Sequence, residues 1–250
     1  MIQIIVSSAT YRQQSSTTAE QITVDPGNRL LGRGPRFRLP AEFIRDQALA
    51  VSGLLVPRVG GPSVHPYQPH GLWKEISHFG STPATKQVFV QDHGEKLYRR
   101  SLYTIVKRTS PHPAMAAFDA PNREMCVVDR GKTNTPLQAL VTLNDPQFAE
   151  AARVFASSIL QEQSTHDDRS RIEWAFESIS SRPPTDSEIN LIVRLLASER
   201  ARFQRSPRNA ERVIAVGEHP ATHDLDPAEQ AAWTQIATLL LNLSEVLTRQ

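Results

Sequence analysis

The chain has 250 residues, 39% hydrophobic and 22% charged, enough to bury a core in one large domain or two modest ones and too apolar for wholesale disorder. Lys and Arg number 28 against 26 Asp and Glu, a formal net charge of +2, which excludes an electrostatic arm for phosphate backbones or anionic membranes and argues against a specific nucleic-acid partner. The single cysteine, Cys126, cannot close an internal disulfide or build a thiolate metal site, and no CxxCH stretch is present to attach a haem, so no cofactor is expected.

The opening MIQIIVSSATYRQ has a short apolar run and no basic leader, so neither a secretory signal nor a membrane span is expected there. The most apolar stretch, residues 236–243, falls far short of the roughly 20 residues a span needs. Ile2, Ile4, Ile5 and Val6 resemble the end of an apolar helix, and the chain reads as an N-terminally shortened module. From Gln14 to Leu39, Pro26, Pro35 and interspersed glycines predict an ordered or semi-ordered loop. Pro40 then opens a helix with Phe43, Ile44, Ala48, Val51 and Leu55 near one face and Gly53 as terminator. Residues 57–83, dense in Pro, Gly and His, predict a long surface loop. Lys86 to Gln91 alternates as a short strand would, and the DHG turn after it allows a small hairpin. Lys96 to Arg108 fits helix and strand templates in part, and a helix is favoured because the rest of the chain is helical.

Beyond a further proline-punctuated loop, Leu137, Leu140, Val141 and Leu143 predict a short buried helix from Pro136. Asn144 and Asp145 before Pro146 then form a strong helix start. Phe148, Ala152, Phe155, Ala156, Ile159 and Leu160 recur at three and four residues, and Ile172, Ala175, Phe176 and Ile179 repeat the pattern. Thr185 and Glu188 have capping-box spacing ahead of Ile189, Ile192, Val193, Leu195 and Leu196. Ser206-Pro207 starts another helix that Gly217 can end, and Asp226-Pro227 starts the last, on which Trp233, Ile236, Leu240, Leu243 and Leu247 align. The fold class is therefore mainly α, a helical bundle or array with long Pro/Gly-rich ordered loops and at most a small β hairpin. It reads as a single domain over 1–250, with a loop-rich half (1–135) and a helical half (136–250).

Seven stretches carry a resemblance: SATYRQ (8–13), DPGNRLL (25–31), GGPSVHPYQPHGLW (60–73), LYRRSLYT (97–104), KRTSPHPAMAAFDAPNREMC (107–126), TNTPLQALVTLNDPQF (133–148) and LLLNLSEVLTR (239–249). In this order they are similar to the C-terminal domain of unknown function of large planctomycete-type proteins that also bear a cytochrome c domain. The resemblance implies a module that follows a companion domain, and often a haem-bearing region, in secreted or periplasmic chains. This sequence lacks the haem motif, so electron transfer is not assigned to it.

Asp119, Arg123 and Glu124 stand in the proline-broken FDAPNRE, where a carboxylate beside a guanidinium could bind a hydroxyl-rich ligand or act as acid or base. The plainer expectation is that Asp119 and Arg123 pair to lock the loop. His65, His70, His78, His93 and His112 crowd the loops without a helical i, i+4 pairing, and no metal site is expected. No serine stands in a GxSxG elbow, and Cys126 reads as a buried, unactivated thiol. Arg99, Arg100, Lys107 and Arg108 flank Tyr98 and Tyr103, a pattern that suits solvated element ends as well as an acidic partner. Tyr67, Trp73 and Phe79 could stack on a sugar or anchor their loop. The candidate ligand or interaction surface is thus Tyr67, Trp73, Arg99, Arg100, Asp119, Arg123, Glu124 and Asn134. The expected function is a non-catalytic interaction or structural module packed on a companion domain or cytochrome c domain, the alternative being a polysaccharide-related enzyme or glycan-binding module using Asp119, Arg123 and Glu124.

Overall fold

The computed structural model describes residues 1–76, 87–163, 167–222 and 224–249. The chain starts with two short helices, α1 (Ile2–Ser7) and α2 (Ala19–Val24). The second lies inside the segment expected to be loop. Thr18 accepts from the Gln21 backbone N–H and Gln21 returns the bond to the Thr18 N–H, so a capping box nucleates a helix among glycines and prolines. Strand β1 (Phe37–Arg38) leads into α3 (Ala41–Val51), which buries Ala41, Ile44, Arg45, Ala48 and Leu49 and leaves Phe43 exposed rather than on the core face.

The single turn α4 (Leu72–Glu75) interrupts the proline-rich loop. Residues 87–91 form no strand, and Lys86, His78 and Phe79 lie outside the described residues. The favoured helix over 96–108 is replaced by two 3-10 turns, Gly94–Tyr98 and Ser101–Tyr103, separated by extended backbone. The reason is non-local. Val56 N–H donates to Tyr98 O, Val64 N–H to Tyr103 O and Ile105 N–H to Val64 O, so the extended proline loop competes successfully for the backbone groups a helix would use. Then follow α5 (Pro113–Ala117) and α6 (Pro136–Asn144).

The helical half contains α7 (Pro146–Glu162), α8 (Asp168–Ser180), α9 (Asp186–Arg205), α10 (Pro207–Ile214), α11 (Pro227–Leu241) and the turn α12 (Ser244–Leu247) before β2 (Thr248–Arg249). Its starts follow the expected caps: Asp145 accepts from Gln147 N–H, Asp226 from Glu229 N–H, and Thr185 and Glu188 close a full capping box. Helix α11 packs on α7, α9 and α10, with Trp233, Ile236 and Leu240 sealed from water. Helix α3 packs on α7, so one apolar cluster runs from Ala41 to Leu247 and joins both halves. The fold is mainly α. Its strand pair is a long-range antiparallel tie, Phe37 opposite Arg249 and Arg38 opposite Thr248, that fastens β1 to the end of the chain.

Candidate interaction surface

Two buried arginines order the loops. Arg45 sits on the inner face of α3, where its guanidinium donates to Gln147 Oε1 (2.6 Å), Leu97 O (2.6 Å), Arg99 O (2.8 Å) and Ser101 Oγ (3.1 Å). Burial pulls it down to about 10 against the opposing pull of Asp46 and Asp145. Arg99, 1% exposed, donates to Pro62 O (3.0 Å), Arg58 O (3.1 Å) and Gly60 O, and its guanidinium carbon lies 3.7 Å from the centre of the Tyr103 ring. Arg99 therefore gathers the 58–62 loop from inside and is not a surface contact, whereas Arg100 is exposed.

A third knot surrounds Glu150, which is fully buried on α7. Its Oε1 accepts from Tyr98 Oη (2.9 Å) and His219 N–H (2.7 Å), while Tyr67 Oη accepts from Glu218 N–H (2.9 Å). Arg153 donates to Val216 O (3.1 Å) and His219 O (2.6 Å) and stands 4.0 Å from Glu150. Burial and the Glu150 carboxylate push the Tyr67 and Tyr98 phenols up, so both remain donors. Tyr67 thus anchors its loop from below, in the buried arrangement rather than on an open stacking face.

The remaining candidates fall into two further constellations. Trp73 packs edge-on to His65 and Phe89, with ring centres 6.1 and 5.3 Å away, and Lys107 Nζ lies 4.7 Å over its ring. Asp119 accepts from the Thr133 N–H (2.7 Å) and Oγ1 (2.8 Å), and nearby Asn134 Oδ1 accepts from Arg38. The expected Asp119–Arg123 pair does not form among the described residues. Both adopt left-handed backbone, φ 59° and 61°, and the carboxylate is occupied by Thr133 instead. Glu124 is exposed, its N–H donating to Asn122 Oδ1. Cys126 is exposed too, against the expectation of a buried thiol, because its segment has no strand or helix to tuck it under the core. Among the described residues no group of three His, Cys, Asp or Glu side chains is placed to hold a metal ion, and no helix is long and apolar enough to cross a membrane.

Two features escaped the reading of the residues. Helix α6 is turned inside out: Gln138 (1% exposed) and Thr142 (3%) face inward, while Leu137, Leu140 and Leu143 are about half exposed. Gln138 Nε2 donates to Thr133 O and Thr142 Oγ1 bonds to Asn242 Oδ1, so polar neighbours select the polar face. Leu137 and Leu140 line a groove of about 810 Å³ between α5, α6 and the loop at Tyr67. The second is Arg45, whose signal was present: an arginine spaced at i, i+3 and i+4 with Ala41, Ala48 and Leu49 on the buried face of α3.

These features define a mainly α module whose proline-rich connections are fastened to a helical scaffold by buried charged groups. The chain belongs to the family described as PSD1, protein of unknown function (DUF1553), whose model matches residues 1–196. Six of the seven resemblance stretches lie within that range, and the seventh, 239–249, lies beyond it. Searches of curated proteins and of solved structures returned no match.

Proposed function

We propose that this chain is a non-catalytic helical interaction module that packs against a companion domain, of the kind found beside cytochrome c regions in the secreted proteins it resembles. One observation carries the reading: α1 and α2 bury no residue at all. Ile2, Ile4, Ile5 and Val6 on α1, with Ile22 and Val24 on α2, are between 41% and 78% exposed. Neighbouring Leu30 and Leu31 are 79% and 69% exposed. An isolated helix shorter than about 12 residues is marginal in water, and α1 has six residues and no side-chain N-cap bond. Exposed aliphatic side chains in this number, on helices too short to hold themselves, are what a surface covered by another protein carries. The knotted loops support the same reading, since ordering them costs conformational entropy that a rigid docking face recovers as specificity.

The test is association with the companion domain in co-expression. Ile5→Asp and Ile22→Asp each weaken association at least tenfold while thermal unfolding of the chain alone is unchanged, because neither side chain contributes to its core. Undiminished association in the double variant would refute the assignment of this face.

A further inference from the structure

The groove between α5 and α6 is a separate feature, since no residue of α1 or α2 lines it. Its walls are Tyr67, Pro113, Ala117, Leu137, Leu140 and Val141, and its volume of about 810 Å³ lies within the roughly 300 to 1,000 Å³ of small-molecule sites. Lysine and arginine are missing from the described lining, Asp145 is its one carboxylate, and the opposite wall carries His70 and Gln68, whose Nε2 is buried without a partner among the described residues.

Burial pushes the Asp145 carboxyl up, while the Gln147 N–H and the charge of Arg45 pull it back toward the ionised form. Arg45 also has Asp46 at 3.8 Å and directs its donors to Gln147, Leu97, Arg99 and Ser101 rather than to Asp145. His112, beside Asp145 in the wall of an adjoining cavity of about 10 Å³, is held by burial down to about 4 and is neutral at pH 7. Asp145 Oδ1 accepts from the Gln147 N–H at the start of α7, and among the described residues Oδ2 takes no hydrogen bond. Asn144 donates its Nδ2 to Leu140 O, which leaves its Oδ1 as a second acceptor on the lining. An apolar trough with one carboxylate and no lysine or arginine favours a donor-bearing cation over an anion, which would have only the amide and imidazole donors at its far wall to meet it.

We infer that this groove binds a small amphiphilic cation, its apolar body against Leu137, Leu140 and Val141 and its single protonated amine on Asp145 Oδ2 and Asn144 Oδ1.

The full chain is titrated with n-octylammonium, octanoate and octan-1-ol, followed by calorimetry and by chemical shifts of the α6 amides. Octylammonium binds at least tenfold more tightly than either of the others. Asp145→Asn keeps a competent helix cap and removes the charge. It abolishes the preference for octylammonium while leaving octan-1-ol binding within twofold. Leu140→Gln, at a half-exposed position, weakens octylammonium and octan-1-ol together. Equal binding of all three probes, or a preference that survives Asp145→Asn, overturns the inference. So does a chain that ignores octylammonium and instead sediments as a dimer dispersed by Leu140→Gln, since a second copy then fills the groove. The companion-domain reading stands or falls separately, on the α1 and α2 variants.

Discussion

From Pro146 onward the chain is held chiefly by apolar helix faces: Trp233, Phe155, Phe176 and Leu196 are buried in one cluster, and side-chain caps start α7, α8, α9 and α11. Before Pro136, aliphatic residues are scarcer in the core and the extended backbone has carbonyls that no helix or sheet satisfies. There the structure places guanidinium groups among the carbonyls, Arg45 beneath 97–101 and Arg99 beneath 58–62. A single chain can thus be stabilised mainly by buried area along one stretch and by directed polar bonds along another. The two regimes differ in what a single substitution does: removing apolar area loosens everything packed upon it, whereas removing a knot frees one loop and strands its partners.

The sharpest break is Arg45→Leu. It leaves Arg99 O without its donor and Leu97 O with only the longer bond from Gln147 Nε2 (3.3 Å), and costs about 3 to 5 kcal/mol. Trp233→Ala costs a similar amount, about 3 to 5 kcal/mol by the cavity it opens. Hydrogen exchange separates them: Arg45→Leu deprotects residues 97–105 selectively, and Trp233→Ala lowers protection throughout α7, α9 and α11. Next comes Gly217→Ala. Gly217 has φ +91°, and a Cβ there would lie 2.2 Å from the Glu150 side chain. The strain and the displaced carboxylate cost about 2 to 3 kcal/mol, read as a lower denaturant midpoint.

A smaller effect is pH dependence from His112. Its folded value near 4 lies below the ordinary 6.5, so between those limits the unfolded chain binds the extra proton. The contribution is complete above about pH 6.5 and lost as pH falls toward 4, on the order of 2 kcal/mol. His112→Gln, which keeps a donor for Tyr67 O, flattens that slope in urea unfolding at pH 4.5 and 7.5. The smallest is Thr185→Ala, which opens the α9 capping box at a cost of about 1 kcal/mol, seen as faster exchange in the first turn of α9 alone.

The helical half was legible because its signals are local: the α7, α8 and α11 periodicities and the Asp145, Thr185 and Asp226 caps all lie within a few residues of what they control. Residues 96–108 were not, since the partner that turns them from helix to extended backbone is the proline loop some forty positions earlier. Helix α6 was read with its leucines inward because periodicity reports a face and not which way it turns. Thr133 and Asn242 decide that, and neither is a sequence neighbour of Thr142. The capping box at Thr18 and Gln21 is local and could have been found, but the prolines and glycines from Pro26 on make the whole segment read as loop. Of the candidate surface, Tyr67 and Arg99 proved to be interior anchors, and Asp119 the fastening of Thr133 rather than the partner of Arg123.

If buried polar knots hold the loops, the proline-rich half is as ordered as the helices it covers. Native-state hydrogen exchange of the full chain tests it most directly at Val56, Val64, Ser101 and Ile105, whose N–H groups donate to Tyr98 O, Tyr103 O, Asp46 Oδ1 and Val64 O. Protection within about tenfold of the α7 core amides is expected; exchange at the rate of an unstructured peptide at these four positions would contradict the account.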